Sequence, residues 1–406
     1  MRPAPIRFEA LDSWRGLAAI MVVLFHAQIV SNVRLFGLVR AGEAFVDFFF
    51  VLSGFVIAHA YLERLSTPRG LGTFFVLRLG RLYPLHIFML ALFLLFEVGK
   101  ALVPGLGNAA DPAFSGTNEL SYLVSNIVFA QALWPFDSLS WNTPSWSVSA
   151  EFLAYALFAL AVFLQRNRLG LWLGLAIVAA PAALAVSSEN GMGVVSGLGG
   201  LRAVYGFAVG ALLYVLFHQS ILRQHATTGQ RRRAAMWTMI EVAVSAVAIM
   251  VAWKTHATPW AYGLPFVFVL VVGVFAVERG HLSRLLKLRP FALAGLLSYS
   301  IYMTHMFILL RVQNVARLSD KVFHTAFIQQ VGRTERYGDG IDAGNLFVGD
   351  LLVVAVVLVT LAFSYVTYRL IEQPGQRAFR RLADRLFGPV GRKVDVDERP
   401  FRPALT

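Results

Sequence analysis

The chain of 406 residues contains no cysteine. That excludes disulfide bridges, a thiolate nucleophile and a cysteine-ligated metal. It is also poor in charge. Only 15% of its residues are charged, against about a quarter in a soluble protein. Missing motifs narrow the chemistry further. There is no P-loop and no dinucleotide fingerprint, so the usual backbone cradles for nucleotide phosphates are lacking. No GxSxG elbow precedes a helix, so a serine-hydrolase reading lacks its motif. No internal repeat is visible. No cleavable signal peptide is expected, because the first apolar run carries Arg15 and His26 and has no small-residue cleavage site.

What the chain has in excess is apolar surface. Hydrophobic residues make up 57% of it. Runs of about 20 apolar residues, the length needed to cross ~30 Å of hydrocarbon, recur throughout. The expected fold is all-α, a polytopic membrane helix bundle of about ten transmembrane helices. The spans run approximately over 11–31, 44–62, 82–102, 147–165, 169–187, 199–218, 236–253, 260–277, 291–311 and 347–370. Residues 1–374 read as one transmembrane domain and 375–406 as a basic cytoplasmic tail.

The net charge of +13 follows the spans. With the N-terminus inside, the inner segments hold 24 Lys and Arg and the outer ones 9. That asymmetry predicts a multi-pass protein of a bacterial inner (plasma) membrane with both termini cytoplasmic. It also assigns the positive charge to anionic headgroups of the lipid bilayer, with no nucleic acid as partner. Two outer segments are long. Residues 103–146 include a short amphipathic stretch, 120–133, that is expected to lie on the surface or re-enter. Residues 311–346 are polar and Gly-rich toward their end, and read as a mobile loop.

Ionisable side chains are costly inside hydrocarbon, so each marks a functional-site candidate. His26 follows Arg15 by eleven positions in LDSWRGLAAIMVVLFHAQIV. On a helix this separates them by about 16 Å and leaves them facing roughly the same side. Under the expected topology His26, Asp47, Glu151 and His305 all fall in the outer half of the membrane. Such a group can act as a general-base unit, in which a carboxylate orients an imidazole. It can also be a proton relay, a metal site or four separate interhelical hydrogen bonds. At the opposite face Arg78 and Arg81, three residues apart, share a helix face near Arg15. A guanidinium pair at a membrane mouth suits phosphate recognition, with simple positive-inside anchoring as the plainer account.

Other residues read more simply. Ser53-Gly54 is a small-residue helix contact. His59 and His86 read as packing or interfacial residues. Glu241 has no assignable partner. Trp134, Trp141 and Trp146 read as an outer aromatic belt, with sugar stacking as the alternative.

Six blocks, in order, carry a resemblance: LDSWRGLAAIMVVLFH, VDFFFVLSGFVI, RLGRLYPLH, WSVSAEFLAY, LSYSIYMTH and YRLIEQP. They resemble those of the integral-membrane acyltransferase family 3, whose members O-acylate bacterial cell-surface glycans and some secondary metabolites. The resemblance spans positions 11 to 374. Its arginine-to-histidine motif falls on Arg15 and His26, its arginine pair on Arg78 and Arg81, and its tryptophan-to-glutamate block on Trp146 and Glu151. Ala150 stands where the family often has a second glutamate. The SYxxYxxH block falls on Ser298, Tyr299, Tyr302 and His305. Some relatives carry a fused extracytoplasmic esterase-like domain; a chain ending at Thr406 resembles the stand-alone kind.

The resemblance implies an enzyme moving an acyl group, expected to be acetyl, from cytoplasmic acyl-CoA to a carbohydrate or glycolipid hydroxyl. His26 would be the base or transient acyl carrier and Glu151 its orienting group. Arg15, Arg78 and Arg81 would hold the CoA phosphates. Asp47, Tyr302 and His305 would bind substrate, with Tyr302 or His305 donating to the oxyanion. The pantetheine arm, about 20 Å long when extended, matches the depth gap. No cofactor and no metal is expected beyond the donor substrate. A proton-coupled transporter is the rival reading, and it predicts interrupted helices in two related halves. A non-catalytic scaffold leaves the clustered titratable residues unexplained. The topology has a direct check: reporter fusions after Gly107 and after Asp339 should be active only in an extracytoplasmic assay, and a cytoplasmic signal at either site would overturn the charge argument.

Overall fold

The computed structural model describes residues 6–103, 112–133, 135, 139–226, 233–330 and 339–389. Among these, a helix stands at every expected span: α1 (Glu9–His26), α2 (Phe45–Tyr61), α3 (Pro68–Leu102), α4 (Trp146–Gln165), α5 (Leu169–Ser187), α6 (Gly199–Ala226), α7 (Ala234–Thr255), α8 (Leu264–Phe275), α9 (Arg289–Phe323) and α10 (Leu346–Thr367). A further helix, α11 (Gln373–Phe387), follows a π-helical turn. Among the described residues, seven helical segments are long and apolar enough to cross a membrane. One of them, Thr143–Ser187, holds both α4 and α5, which part at Gln165–Arg168. α1 carries Glu9, Asp12 and Arg15 in its first two turns, and α8 with its preceding turn is shorter. The protein is a polytopic helical membrane bundle.

Two parallel helix pairs frame it. α1 lies on α9, with Gly16 against Ala294 and Gly295 at one level and His26 beside His305 further along. α2 lies on α6, with Asp47 beside Arg202 and Gly54 against Phe207. Between helices in lipid there is no water to expel, so close van der Waals approach at small residues drives association. A Cβ on Gly54 would stand 2.0 Å from the Phe207 carbonyl oxygen, and one on Gly210 1.8 Å from that of Val51. The small-residue reading of Ser53-Gly54 therefore holds for its glycine.

Segment 112–133 re-enters the bundle. Its start is tied to Glu97, which accepts from Phe114 N at 2.9 Å and Asn118 Nδ2 at 2.9 Å. Its turn lies against Tyr83, whose hydroxyl donates to Ile127 O at 2.9 Å, and His86, whose Nε2 meets Asn126 O at 2.8 Å. Tyr83 and Glu97 are separated by about 21 Å along α3 at ~1.5 Å per residue. His86 is thus a packing residue, but of this dipping segment.

The described residues of the polar stretch 311–346 include secondary structure. α9 continues to Phe323, and strands Ile328–Gln330 and Asp339–Ile341 pair antiparallel. The Asp320 carboxylate accepts from Thr325 Oγ1, Phe327 N and Ile328 N, which closes the turn after α9. Ile341 bonds Gln28 O and Val30 N, both at 2.8 Å, so the hairpin is stitched to the chain just after His26. Glu241 also finds partners. It accepts from Gly280 N, Ser283 N and Ser283 Oγ at 2.8, 3.0 and 2.5 Å, capping the helical turn His281–Leu286. The described part of the basic tail lies along α3, with Gly375 against Pro84 and Phe379 against Gly80.

The α2/α6 contact predicts a contrast. Gly54→Val forces a side chain into backbone and should cost roughly 1–3 kcal/mol or more. Gly170→Val, where nothing lies within 4 Å, should leave thermal melting in detergent unchanged. Equal melting of the two variants would show that the close approach is not needed.

Candidate active site

α3 carries Arg78 and Arg81 past the C-terminal end of α2. There Arg78 Nη2 donates to Tyr61 Oη at 2.9 Å and its guanidinium lies over the same ring. Arg81 pairs with the Glu372 carboxylate and lies over the Tyr299 ring at 5.6 Å. Arg15, one helix away, donates to Ser298 Oγ at 2.9 Å and pairs with Asp12 at 3.5 Å. All three arginines line one cavity. Its walls also include Ser53, Glu151 and Tyr302. The structure brings the three arginines together, although they lie on two separate helices.

The expected pairing of Glu151 with His26 is corrected. Glu151 Oε1 accepts from Ser53 Oγ and, at 2.5 Å, from Tyr155 Oη. The cause is the re-entrant segment. It delivers the start of α4 to the level of Tyr302 on α9, where Asn142 Nδ2 donates to Met303 O at 2.9 Å and Ser147 Oγ meets Tyr302 Oη at 2.7 Å. Glu151 lies four residues further on, about 6 Å deeper at ~1.5 Å per residue, and faces the arginine end of the cavity.

His26 has a different neighbour. Its Nδ1 lies 2.9 Å from Val22 O and 3.3 Å from His305 Nε2, and the two rings stand 5.0 Å apart. His305 Nδ1 lies 2.6 Å from Tyr302 O. A carbonyl only accepts, so His305 Nδ1 carries its proton and, in the neutral ring, Nε2 carries a lone pair. His26 Nδ1 then faces two acceptors and must be the donor. The hydrogen-bond geometry thus assigns the neutral His26 tautomer, with its lone pair on Nε2.

Asp47 does not join the histidines. It forms a bidentate pair with Arg202 at 2.8 and 3.0 Å, with side-chain exposures of 1% and 3%. Trp146 lies over the Arg202 guanidinium, so it and the buried Trp141 are interior residues rather than an outer belt; Trp134 lies outside the described residues. The Tyr302 hydroxyl donates to Pro144 O at 3.0 Å, so it is already engaged. Among the described residues no three His, Asp or Glu side chains converge as a metal site requires. Two residues were missed. Arg202 was visible as a lone charge in GGLRAVYGF, and Glu372 as the acid of YRLIEQP.

Residues 8–369 match the acyltransferase domain model of acyltransferase family 3. The chain belongs to this family. It is 37% identical over 169 residues to protein 2 of the picA locus of Rhizobium radiobacter, covering 38% of this chain and 82% of that protein. It is 30% identical over 178 residues to the acyltransferase MdmB of Streptomyces mycarofaciens, covering 41% of this chain and 42% of the relative. It is 22% identical over 320 residues to the peptidoglycan O-acetyltransferase OatA of Listeria monocytogenes, covering 73% of this chain and 48% of the relative. The chain thus spans less than half the length of the last two. No solved structure matches it. The protein is a membrane-embedded acyltransferase, and the transporter reading falls away.

The buried pair beside the site gives a prediction. Arg202→Ala leaves Asp47 an unpaired buried charge and should destabilise the acyltransferase by roughly 3–5 kcal/mol, whereas Asp47→Asn with Arg202→Met should recover much of that. Melting temperatures of the single and double variants decide it: a double variant no better than Arg202→Ala would mean the pair is not a unit.

Proposed function

We propose that the protein transfers an acyl group, taken to be acetyl, from cytoplasmic acyl-CoA to a hydroxyl of a cell-surface or exported carbohydrate. The observation that supports this reading is one cavity lined both by three arginines and by Tyr302, the residue that holds His305. Guanidinium groups recognise phosphate by charge-assisted hydrogen bonds. The lysine and arginine asymmetry supports a cytoplasmic position for the arginines in a bacterial inner membrane, where CoA is available. Arg15 and His26 are separated by about 16 Å of helix, a span that an extended pantetheine arm covers. The peptidoglycan O-acetyltransferase among the relatives supports acetyl as the group and a glycan as the acceptor.

In this reaction the lone pair on His26 Nε2 takes the proton of the acceptor hydroxyl as its oxygen attacks the thioester carbonyl. The carbon–sulfur bond breaks, an ester forms, and the proton passes from His26 to the departing thiolate. His305 Nε2 accepts the His26 Nδ1 hydrogen bond throughout and steadies the imidazolium. It takes the orienting role that Glu151 was expected to have. Glu151, Ser53 and Tyr155 form a polar stripe along the wall that the arm passes.

The test is purified protein with radiolabelled acetyl-CoA and a candidate glycan. Label should reach the glycan. His26→Ala should abolish transfer while CoA still binds, and His305→Ala should slow transfer without raising KM for the donor. Arg78→Ala or Arg81→Ala should weaken acyl-CoA binding by about 1.5–3 kcal/mol. Activity should fall as pH drops into the range where imidazole is protonated, since His26 then has no lone pair. Wild-type turnover in His26→Ala would end this mechanism, and a labelled His26 peptide would replace general-base catalysis with a covalent step.

A further inference from the structure

The block YRLIEQP is not used by the reaction described above. Its acid, Glu372, closes the π-helical turn Tyr368–Glu372 that joins α10 to α11. π-Turns within helices recur at functional sites, because the extra residue re-aims a side chain. Glu372 is 1% exposed and does not line the cavity. Its Oε1 pairs with Arg81 of α3 and accepts from Gln376 Nε2 of α11 at 3.1 Å. Its Oε2 accepts from Ser300 Oγ of α9 at 2.5 Å. The carboxylate is therefore fixed from three helices, and what it fixes in turn is an arginine that faces the cavity.

We propose that Glu372 is a positioning residue for the donor site. It holds the Arg81 guanidinium in the cavity wall, so that an incoming phosphate meets a donor already oriented. This rests on the reading that the cavity takes the CoA phosphates. The cause is the length of the side chain. An arginine without a fixed partner samples many rotamers, and the ordering must then be done by the ligand. A carboxylate anchored by Ser300 and Gln376 does that ordering in advance.

The proposal has a sign that simple electrostatics does not share. Glu372→Gln removes a negative charge beside the cavity. If Glu372 acted only through its charge, an anion would bind more tightly to the variant. If Glu372 positions Arg81, the anion binds more weakly. Glu372→Asp separates the effects again, because it keeps the charge but shortens the reach.

The experiment uses the full chain in detergent, with thermal melting to confirm folding. The probe is 3′,5′-ADP, the phosphate-bearing nucleotide half of CoA without a thioester, titrated by calorimetry. Wild type should bind. Glu372→Gln and Glu372→Asp should each bind about tenfold more weakly, as expected for a disturbed charge-assisted contact. In the transfer assay the donor KM should rise while kcat at saturation stays within about twofold. Ser300→Ala, which keeps both ions but frees one carboxylate oxygen, should show a smaller loss of the same kind. Should Glu372→Gln not fold, Ser300→Ala and Glu372→Asp carry the same test. Unchanged or tighter binding in the folded Glu372 variants overturns the positioning role. A wild type that transfers acyl groups but does not bind 3′,5′-ADP overturns the phosphate reading of the cavity instead, and the positioning role with it.

Discussion

An ion inside an apolar helix bundle must bring its counterpart with it, and the rest of this structure depends on that constraint. Asp47 of α2 meets Arg202 of α6, and Arg81 of α3 meets Glu372 beyond α10. Glu97 and Lys100 pair on α3, and Glu97 then receives Phe114 N and Asn118, which anchors the re-entrant segment. A buried pair adds little net stability over a well-packed apolar one, since desolvation offsets the attraction. What it does is penalise every arrangement that separates the partners. The first two pairs thus select which helices are neighbours, and Arg81 of one of them lines the cavity.

Small residues then set how close those neighbours come. Gly16 and Gly295 bring α1 onto α9 in parallel, so the same crossing puts Arg15 beside Ser298 and His26 beside His305. Gly54 and Gly210 do the same for α2 and α6, and that contact presents Ser53 to Glu151. The site is therefore a consequence of two glycine-mediated contacts. Neither involves a residue that takes part in the chemistry.

This explains what could be read from the sequence. Span positions follow from apolar runs, and those are local. The three arginines were grouped because charge sorts to one membrane face. His26 and His305 were placed at one level because both lie about fifteen residues into a span that enters from the same side. Glu151 was misplaced because its depth was counted from an assumed outer surface. The re-entrant segment shifts the start of α4, and the signal for that shift is tertiary: Tyr83 and His86 receive a turn from some forty residues away. Glu241 had no partner in sequence because its partners are mostly backbone amides at 280 and 283. The hairpin after α9 was hidden in a polar stretch because its stability comes from Asp320 and from a strand edge at residues 28–30.

The replacement of a carboxylate by His305 behind His26 has its own physical logic. A glutamate there would add a further buried charge, and Arg202 is already committed to Asp47. A neutral imidazole costs far less to bury than a carboxylate. It still accepts the His26 Nδ1 hydrogen bond and so fixes the tautomer that leaves the lone pair on Nε2. The trade is weaker stabilisation of the imidazolium, because a neutral acceptor attracts it less than an ion would. In the proposed reaction that weakness is tolerable, since the proton taken from the acceptor hydroxyl stays on His26 only until the thiolate leaves. A carboxylate would make the imidazolium a better resting place for the proton and a poorer acid toward the leaving group. The same separation keeps the Glu151 carboxyl in the wall that the arginines share rather than beside His26.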